Sequence, residues 1–238
     1  MTGKELILEV EGIQLKLLTK LVDKNPFWKS ILNNPKDVDE NVYYGMCVEN
    51  YHLLFRESYF DAPILSYPFS QKARLLINEF YIEELGHDKL LLKSLISVGL
   101  SESDLFESTP LPGTMALCNS LAYWSRHDPL FFFTTLGPLE GREIEIDSFV
   151  IAMHEKELSK EFIDPIESHA NINMNAGHGL LTRDIFETIQ VISDEDAKRI
   201  FTYTELFVKI YDRFYKNIWN HYSNGGKLIR KAVHYGKA

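Results

Sequence analysis

Apolar residues recur at intervals of three and four along most of the chain, and no convincing run of alternating apolar and polar residues is bounded by turn signals. This periodicity is that of amphipathic helices, so the sequence predicts an all-α fold. The predicted helices cover residues 4–23, 26–32, 37–60, 70–99, 113–126, 129–139, 144–157, 159–176 and 194–223. Ser193 with Asp196, and Ser101 with Asp104, indicate helix starts, while NNPKD and STPLPGT indicate breaks. No shift in composition divides the chain, and we expect one helical bundle domain over residues 1–238.

The charge of the chain limits its partners. The net charge of -9 and the pI of about 5.4 argue against nucleic acid, which needs a clustered basic surface. The short basic stretch KLIRK, residues 227–231, has the composition of a helix end. No run of 18 apolar residues predicts a membrane span, so we expect a soluble, cytoplasmic protein that uses no membrane. Cys47 and Cys118 are too few for a disulfide framework and are expected to be buried thiols; a homodimer is the default assembly.

The predicted helix 70–99 carries the first candidate chemistry. Its apolar stripe is expected to face the core and consists of Leu75, Ile82, Leu85 and Leu90. Carboxylates and an imidazole occupy the adjoining face, at Glu79, Glu83, Glu84 and His87. Glu84 and His87 form an ExxH pair, the step by which one helix of a di-iron bundle presents two ligands to one metal cluster. The alternative is an ordinary solvated face.

Two further carboxylates stand in apolar surroundings. Glu49 lies three residues before His52 in an aromatic helix, and the alternative to a metal ligand is a hydrogen-bonded polar pair near the surface. Glu140 follows the most apolar run of the chain, FFFTTLGPL, where a buried carboxylate would need a partner. Because glycines flank it, Glu140 could instead be a solvent-exposed residue at a helix end.

The stretch ESHANINMNAGHG, residues 167–179, contains two histidines that a regular helix would point in opposite directions, since nine positions turn it by about 900°. A π-bulge or a break near NAGHG would bring His169, Asn173 and His178 onto one side. Alternatively, one histidine belongs to a functional stripe and the other is packed, or both are separate core residues.

These residues together resemble the haem-oxygenase-like diiron oxidases, relatives of thiaminase II and of pyrroloquinoline quinone synthase, over most of the chain. The resemblance implies two Fe(II) ions with dioxygen as co-substrate. It implies metal ligands at Glu79 or Glu84, His87, Glu140, His169 and His178, with Glu49 as an extra ligand. The late motif HxxxDxxH of that family is not intact here, because Asn173 and Ala176 stand where the Asp and the second His would be. One iron site is therefore expected to be weak, and Asp88, Asp164 and Asp184 are the candidate replacements.

The resemblance further implies oxidation of a small molecule, typically an amino acid or a fatty acid. A narrower expectation, taken from a nitrile-forming member of the group, is oxidative rearrangement or cleavage of a tryptophan derivative to a nitrile. The planar guanidinium of Arg74, Arg126, Arg142 or Arg183 would then bind the substrate carboxylate. Surface ion pairing is the alternative for each arginine.

Two other functions remain open. A thiaminase-like hydrolase on the same fold would use Cys47 or Cys118 as nucleophile. A non-enzymatic helical binding protein would take up no iron and would leave the histidines and glutamates scattered. Haem binding has only fold analogy in its favour, and no histidine has the features of a proximal ligand.

Overall fold

The computed structural model describes residues 1–141, 147–176 and 178–231, and the side chains in these ranges except those of residues 173–179. The described residues form α-helices and two short 3₁₀ helices, Pro35–Asp37 and Glu57–Tyr59. The α-helices are α1 (Gly3–Lys24), α2 (Pro26–Asn33), α3 (Glu40–Leu54), α4 (Asp61–Ile64), α5 (Gln71–Glu84), α6 (Asp88–Ser97), α7 (Glu102–Glu107), α8 (Pro112–His127), α9 (Pro129–Leu139), α10 (Ser148–Glu155), α11 (Lys160–Ala176), α12 (His178–Glu187) and α13 (Asp194–Tyr222). The β pairing among these residues is limited to one bridge between Ser108 and Lys231, which agrees with the predicted all-α class.

The long helix α13 lies at the centre of the bundle and contacts several other helices. Its start follows from the Ser193 cap, whose hydroxyl accepts from the Asp196 amide at 3.0 Å. Its buried face includes Ile200, Phe207 and Phe214, spaced seven residues apart, and packs against α1, α2, α3, α8 and α9.

Helix α9 is buried almost throughout, as its run of phenylalanines predicts. Phe131, Phe132 and Phe133 are fully buried, and the helix packs against α1, α8, α12 and α13. Because α9 ends at Leu139, the next residue, Glu140, emerges from the interior of the bundle rather than from its surface. This position explains how a carboxylate after such an apolar run comes to lie near other buried groups.

Glu49 is a fully buried carboxylate with protein donors on both oxygens. Arg230 pairs with it, Thr114 donates its hydroxyl, and the Tyr222 hydroxyl and the Leu111 amide donate at 2.9 Å each. Arg230 also donates to Tyr222 at 2.7 Å. The network fastens the chain after α13 onto α3 and α8, so the basic stretch at residues 227–231 contains a buried ion pair rather than a helix end.

The predicted boundaries hold within a few residues for α1, α2, α8, α9, α11 and α13. The predicted helix 37–60 is wrong in extent, because the chain forms two 3₁₀ turns around α3. The helices α4 and α7 were not predicted, although Ser101 was recognised as the cap of α7. Residues 178–187 form α12, outside every predicted segment, and the predicted start of α10 at 144 lies outside the described residues. Residue 177 is also outside them, so the expected break or bulge there stays a prediction.

The predicted helix 70–99 divides into α5 and α6, and its predicted apolar face was wrong. Leu85 leaves the helical conformation and Gly86 takes a φ of +96°, a left-handed value that favours glycine. Leu75, Ile82 and Leu85 are 57%, 66% and 62% exposed. The inward face carries Ala73, Ile77, Phe80 and Glu84 instead.

None of the helices in the described part of the chain combines the length and the apolar character that a membrane crossing requires.

We expect Glu49→Ala to destabilise the protein by about 3–5 kcal/mol, because it leaves Arg230 without its buried partner and removes the acceptor of three further donors. Urea unfolding measures the change. Lys231→Ala is the matched control: it removes the exposed pairs with Asp104 and Glu107 and should cost no more than about 1 kcal/mol. Equal effects of the two substitutions would contradict this account of Glu49.

Candidate functional site

Four carboxylates come together from four separate places in the chain. Glu57 lies in the 3₁₀ turn before α4, Asp61 begins α4, Glu84 ends α5, and Glu140 caps the end of α9. The charge of Glu84 raises the pKa of each of the other three, and Asp61 acts on Glu57 and Glu140 as well. Each stands at or beside the end of a helical element, which is where the chain can turn side chains toward a common point.

Asp61 and Glu57 were not predicted as site residues, and Asp61 is the more buried of the two. Its side chain is buried, and burial raises the pKa of Asp61 well above the usual range, with the nearby Glu84 carboxylate raising it further. Within the described residues Oδ1 of Asp61 has no hydrogen-bond partner. The charged form is therefore costly at this position without a positive ligand.

The same causes act on Glu140 and Glu57, which are partly buried. Burial raises the pKa of Glu140, followed by the charges of Glu84 and Asp61. For Glu57, burial comes first, then Asp61, Glu84, Glu140 and Asp88 in that order. Burial is thus the first cause for both acids, and repulsion from the neighbouring carboxylates is the second.

Two imidazoles border the carboxylates. Nδ1 of His87 lies 2.6 Å from Oε2 of Glu84, and both side chains are buried. The pair is made not by one continuous helix but by the turn at Gly86, which carries His87 back over the end of α5. The ring of His169, on α11, contacts that of His87 edge-on, with centroids 4.8 Å apart. We call Glu57, Asp61, Glu84, Glu140, His87 and His169 the carboxylate–imidazole cluster.

The cluster has the donor types of an iron site, but not a ready-made cage. Carboxylate and imidazole suit Fe(II), and four carboxylates with two histidines is the donor set of di-iron bundles. Among the residues whose side chains are described, however, no group of three or more His, Cys, Asp or Glu is arranged to hold a metal ion. The side chain of His178, an expected ligand, lies outside that set. The donor chemistry fits the metal, and binding would require the side chains to draw closer.

Of the residues predicted as metal ligands, the structure brings together Glu84, His87, Glu140 and His169. Glu79 and its neighbour Glu83 have exposed side chains, so their predicted place on the His87 face was wrong. Glu84 is therefore the carboxylate that lies beside His87. Glu49 lies in the Arg230 network with all its contacts made by protein groups, and its neighbour His52 is buried rather than near the surface, with burial lowering its pKa to about 3.

The candidate replacements for the missing aspartate differ in position. Asp164 and Asp184 are exposed, whereas Asp88 is half-buried at the start of α6 and acts on Glu57. Asp88 is the one of the three that borders the cluster.

Glu57 and Asp61 were missed because their stretch, ESYFDAPILSYPF, has no regular period. The available signal was two acids four residues apart among aromatic residues, with Pro63 following in the short helix α4. The predicted helix 37–60 includes Glu57 near its end and stops before Asp61.

The candidate substrate-binding arginines differ in their surroundings. Arg183 donates to both oxygens of Glu11, with Nε 3.0 Å from each, which is an internal ion pair. Arg126 is exposed in the last turn of α8. Arg74 is exposed but borders a cavity between α4 and α5. Arg142 lies outside the described residues.

Comparison with known proteins supports the fold. A solved structure from Shewanella denitrificans OS217, described as a domain of unknown function with a heme oxygenase-like fold, matches 98% of this chain over 99% of its own length. The TM-score is 0.74 and the sequence identity is 20%. No protein-family model and no curated protein matches the chain. The predicted heme oxygenase-like, all-α fold is thereby confirmed, and an identity this low carries the fold alone.

We expect Asp61→Asn to stabilise the metal-free protein at neutral pH by about 1–3 kcal/mol. Burial and Glu84 raise the pKa of Asp61 in the folded state, and an acid with a raised folded pKa costs stability at every pH above its unfolded pKa, so the neutral amide removes that cost. Urea unfolding in the presence of a chelator measures it. Asp164→Asn, the same change at an exposed position, should alter stability by no more than about 0.5 kcal/mol. A destabilised Asp61→Asn variant would mean that this carboxylate is already compensated by protein groups.

Proposed function

We propose that the protein is a non-haem diiron, dioxygen-dependent oxidase acting on a small molecule, with an amino acid as the expected substrate. The observation that carries the proposal is the carboxylate–imidazole cluster: acids from three helix ends and a 3₁₀ turn, bordered by two histidines, inside a heme oxygenase-like fold. A cluster of acids that raise one another's pKa is costly in a protein and is typical of functional sites.

The charges of the cluster match two ferrous ions. Glu57, Asp61, Glu84 and Glu140 carry at most four negative charges, and two Fe(II) ions carry four positive charges. Glu84, His87, His169 and Glu140 would hold the metal, with Asp61 and Glu57 completing the anionic side and His178 as a further candidate. Asp88 would act from the border of the site through its charge.

Bound iron would activate dioxygen, and the protein would orient the substrate and exclude water from the site. Phe60 precedes Asp61 and contacts Phe132 of α9, with ring centroids 6.2 Å apart. Phe80 lies one turn before Glu84 and is buried. Buried rings so close to the acids in the chain would help to exclude water, and a dry site would strengthen the electrostatic interactions within it.

A cavity between the two helices that carry Asp61 and Glu84 supports a small carboxylate as substrate. It has a volume of about 250 Å³ and lies between α4 and α5, with Arg74 on its rim. Two of its lining residues, Ile64 and Ile77, are buried on the same faces as Asp61 and Glu84. A guanidinium on the rim and apolar residues below suit a molecule with a carboxylate and an apolar body. The tryptophan derivative and the nitrile product are the narrower form of this proposal.

The thiaminase-like alternative is not favoured by the cysteines. Cys47 and Cys118 are buried, and burial raises the pKa of Cys118 to about 12 and that of Cys47 further. A thiol held in its protonated form is a poor nucleophile.

Anaerobic equilibrium titration with Fe(II), followed by calorimetry, should give about two iron ions bound per chain, one of them more weakly than the other. Glu84→Gln should lower that content to about one or less, because it removes an anionic oxygen beside His87. Glu79→Gln is the matched control on the same helix; its side chain is exposed and the iron content should not change. Native protein that binds no iron, or equal loss in both variants, would refute the diiron assignment.

For the iron-loaded protein, dioxygen consumption in a panel of amino acids should identify a substrate. Arg74→Gln should raise its KM about tenfold or more with a smaller effect on kcat, since a carboxylate contact acts in both ground and transition states. Arg126→Gln, an exposed arginine away from the cavity, is the control. Unchanged iron content in both variants separates this test from the previous one, and an unchanged KM in Arg74→Gln would rule out Arg74 as the carboxylate contact.

A further inference from the structure

The outer face of α1 is apolar at its centre and charged along one edge. Leu8 and Leu15 are 53% and 71% exposed. Gly12 lies between them, and a Cβ atom built there would meet nothing within 4 Å, so no described part of the chain covers this point. Glu9 and Lys16 are exposed and make no ion pair within the described residues. A helix face with two exposed leucines and two charges that make no ion pair in the described residues is suited to contact with another protein surface.

The arrangement along the helix is regular. At about 100° and 1.5 Å per residue, Leu8 and Leu15 lie on one side of Gly12, about 20° apart and about 10 Å apart along the axis. Glu9 and Lys16 have the same spacing on the other side of Gly12. The leucine row and the charged row are therefore parallel, with Gly12 between them.

This pattern is complementary to itself when reversed. If a second α1 packs antiparallel with the two Gly12 residues opposite each other, Leu8 falls within about 1.5 Å along the axis of Leu15 of the second copy. On the other edge, Glu9 falls at the same offset from Lys16 of the second copy. One two-fold axis thus creates a four-leucine cluster and two ion pairs, and the absence of a side chain at Gly12 allows close approach of the helices.

The exposed leucine face of α5 does not have this property. Pairing Leu75 with Ile82 of a second copy in the same way sets the axis between residues 78 and 79. Glu79, which is exposed, would then face its own copy across the axis. Like charges at the centre of an interface disfavour association.

We propose that the protein forms a two-fold homodimer through antiparallel packing of α1 about Gly12, with the second copy of this chain as the partner. The contact is small, so the dimer should be of micromolar affinity and sensitive to salt. It is independent of the iron site.

Sedimentation velocity and light scattering up to about 200 µM protein test the proposal. The native chain should show a monomer–dimer equilibrium. Lys16→Glu sets two glutamates opposite each other and should weaken the dimer at least about tenfold, as should Glu9→Lys. The double exchange Glu9→Lys with Lys16→Glu restores opposite charges and should restore affinity to within about threefold.

Leu15→Ser and Leu75→Ser form the matched apolar pair, since both leucines are exposed but lie on different helices. The first should weaken the dimer and the second should not. Circular dichroism checks that all variants remain folded. A native chain that is monomeric throughout the range, a double exchange that fails to restore association, or a loss caused by Leu75→Ser rather than Leu15→Ser would overturn the proposal.

Discussion

The cost of burying ionised carboxylates is the constraint on which this structure depends. The fold meets it in two different ways. Glu49 is enclosed by Arg230 and three neutral donors, so that its charge is compensated by the chain itself. Asp61 lies among other acids, with burial and Glu84 raising its pKa, and makes no ion pair within the described residues. A buried acid of the first kind stabilises the bundle, whereas one of the second kind is destabilising until a cation or a proton joins it.

The carboxylate–imidazole cluster also explains why α5 and α6 are two helices rather than one. A continuous helix would hold Glu84 and His87 on one face but would keep the leucines around them inward. The chain instead ends α5 at Glu84, turns at Gly86, and directs both polar side chains inside. Leu75 and Ile82 lie on the opposite side of α5 from the inward Glu84 and are exposed, as is Leu85 in the turn. Exposing three large apolar residues is unfavourable, and a local conflict of this kind is expected at functional sites rather than in structural ones.

The same conflict marks the limit of sequence-based prediction. Helix type and most ends followed from periodicity and caps, because α1, α8, α9 and α13 bury their apolar faces as the pattern predicts. For α5, the rule that leucines face the core predicted the wrong buried face. The same error placed Glu79 beside His87, although its side chain is exposed. Glu84, His87, Glu140 and His169 were identified as ligand candidates by residue type and by resemblance, whereas Asp61 and Glu57 follow a break that periodicity does not describe. The structure and not the sequence relates Glu49 to Arg230, since 181 positions separate them.

Glu49 and Glu84 therefore present the same signal in sequence, a glutamate three residues before a histidine in a predicted helix, but their surroundings in the structure are opposite. What separates them is the identity of the next charged group in space. For Glu49 it is a guanidinium brought by the chain after α13, and His52 beside it is kept neutral by burial and by the positive charges of Arg56 and Arg230. For Glu84 it is Asp61, Glu57 and Glu140. An ExxH pair is a metal-site candidate when its surroundings are anionic, because a cation then lowers the energy of every acid present; beside an arginine the same pair is part of the core.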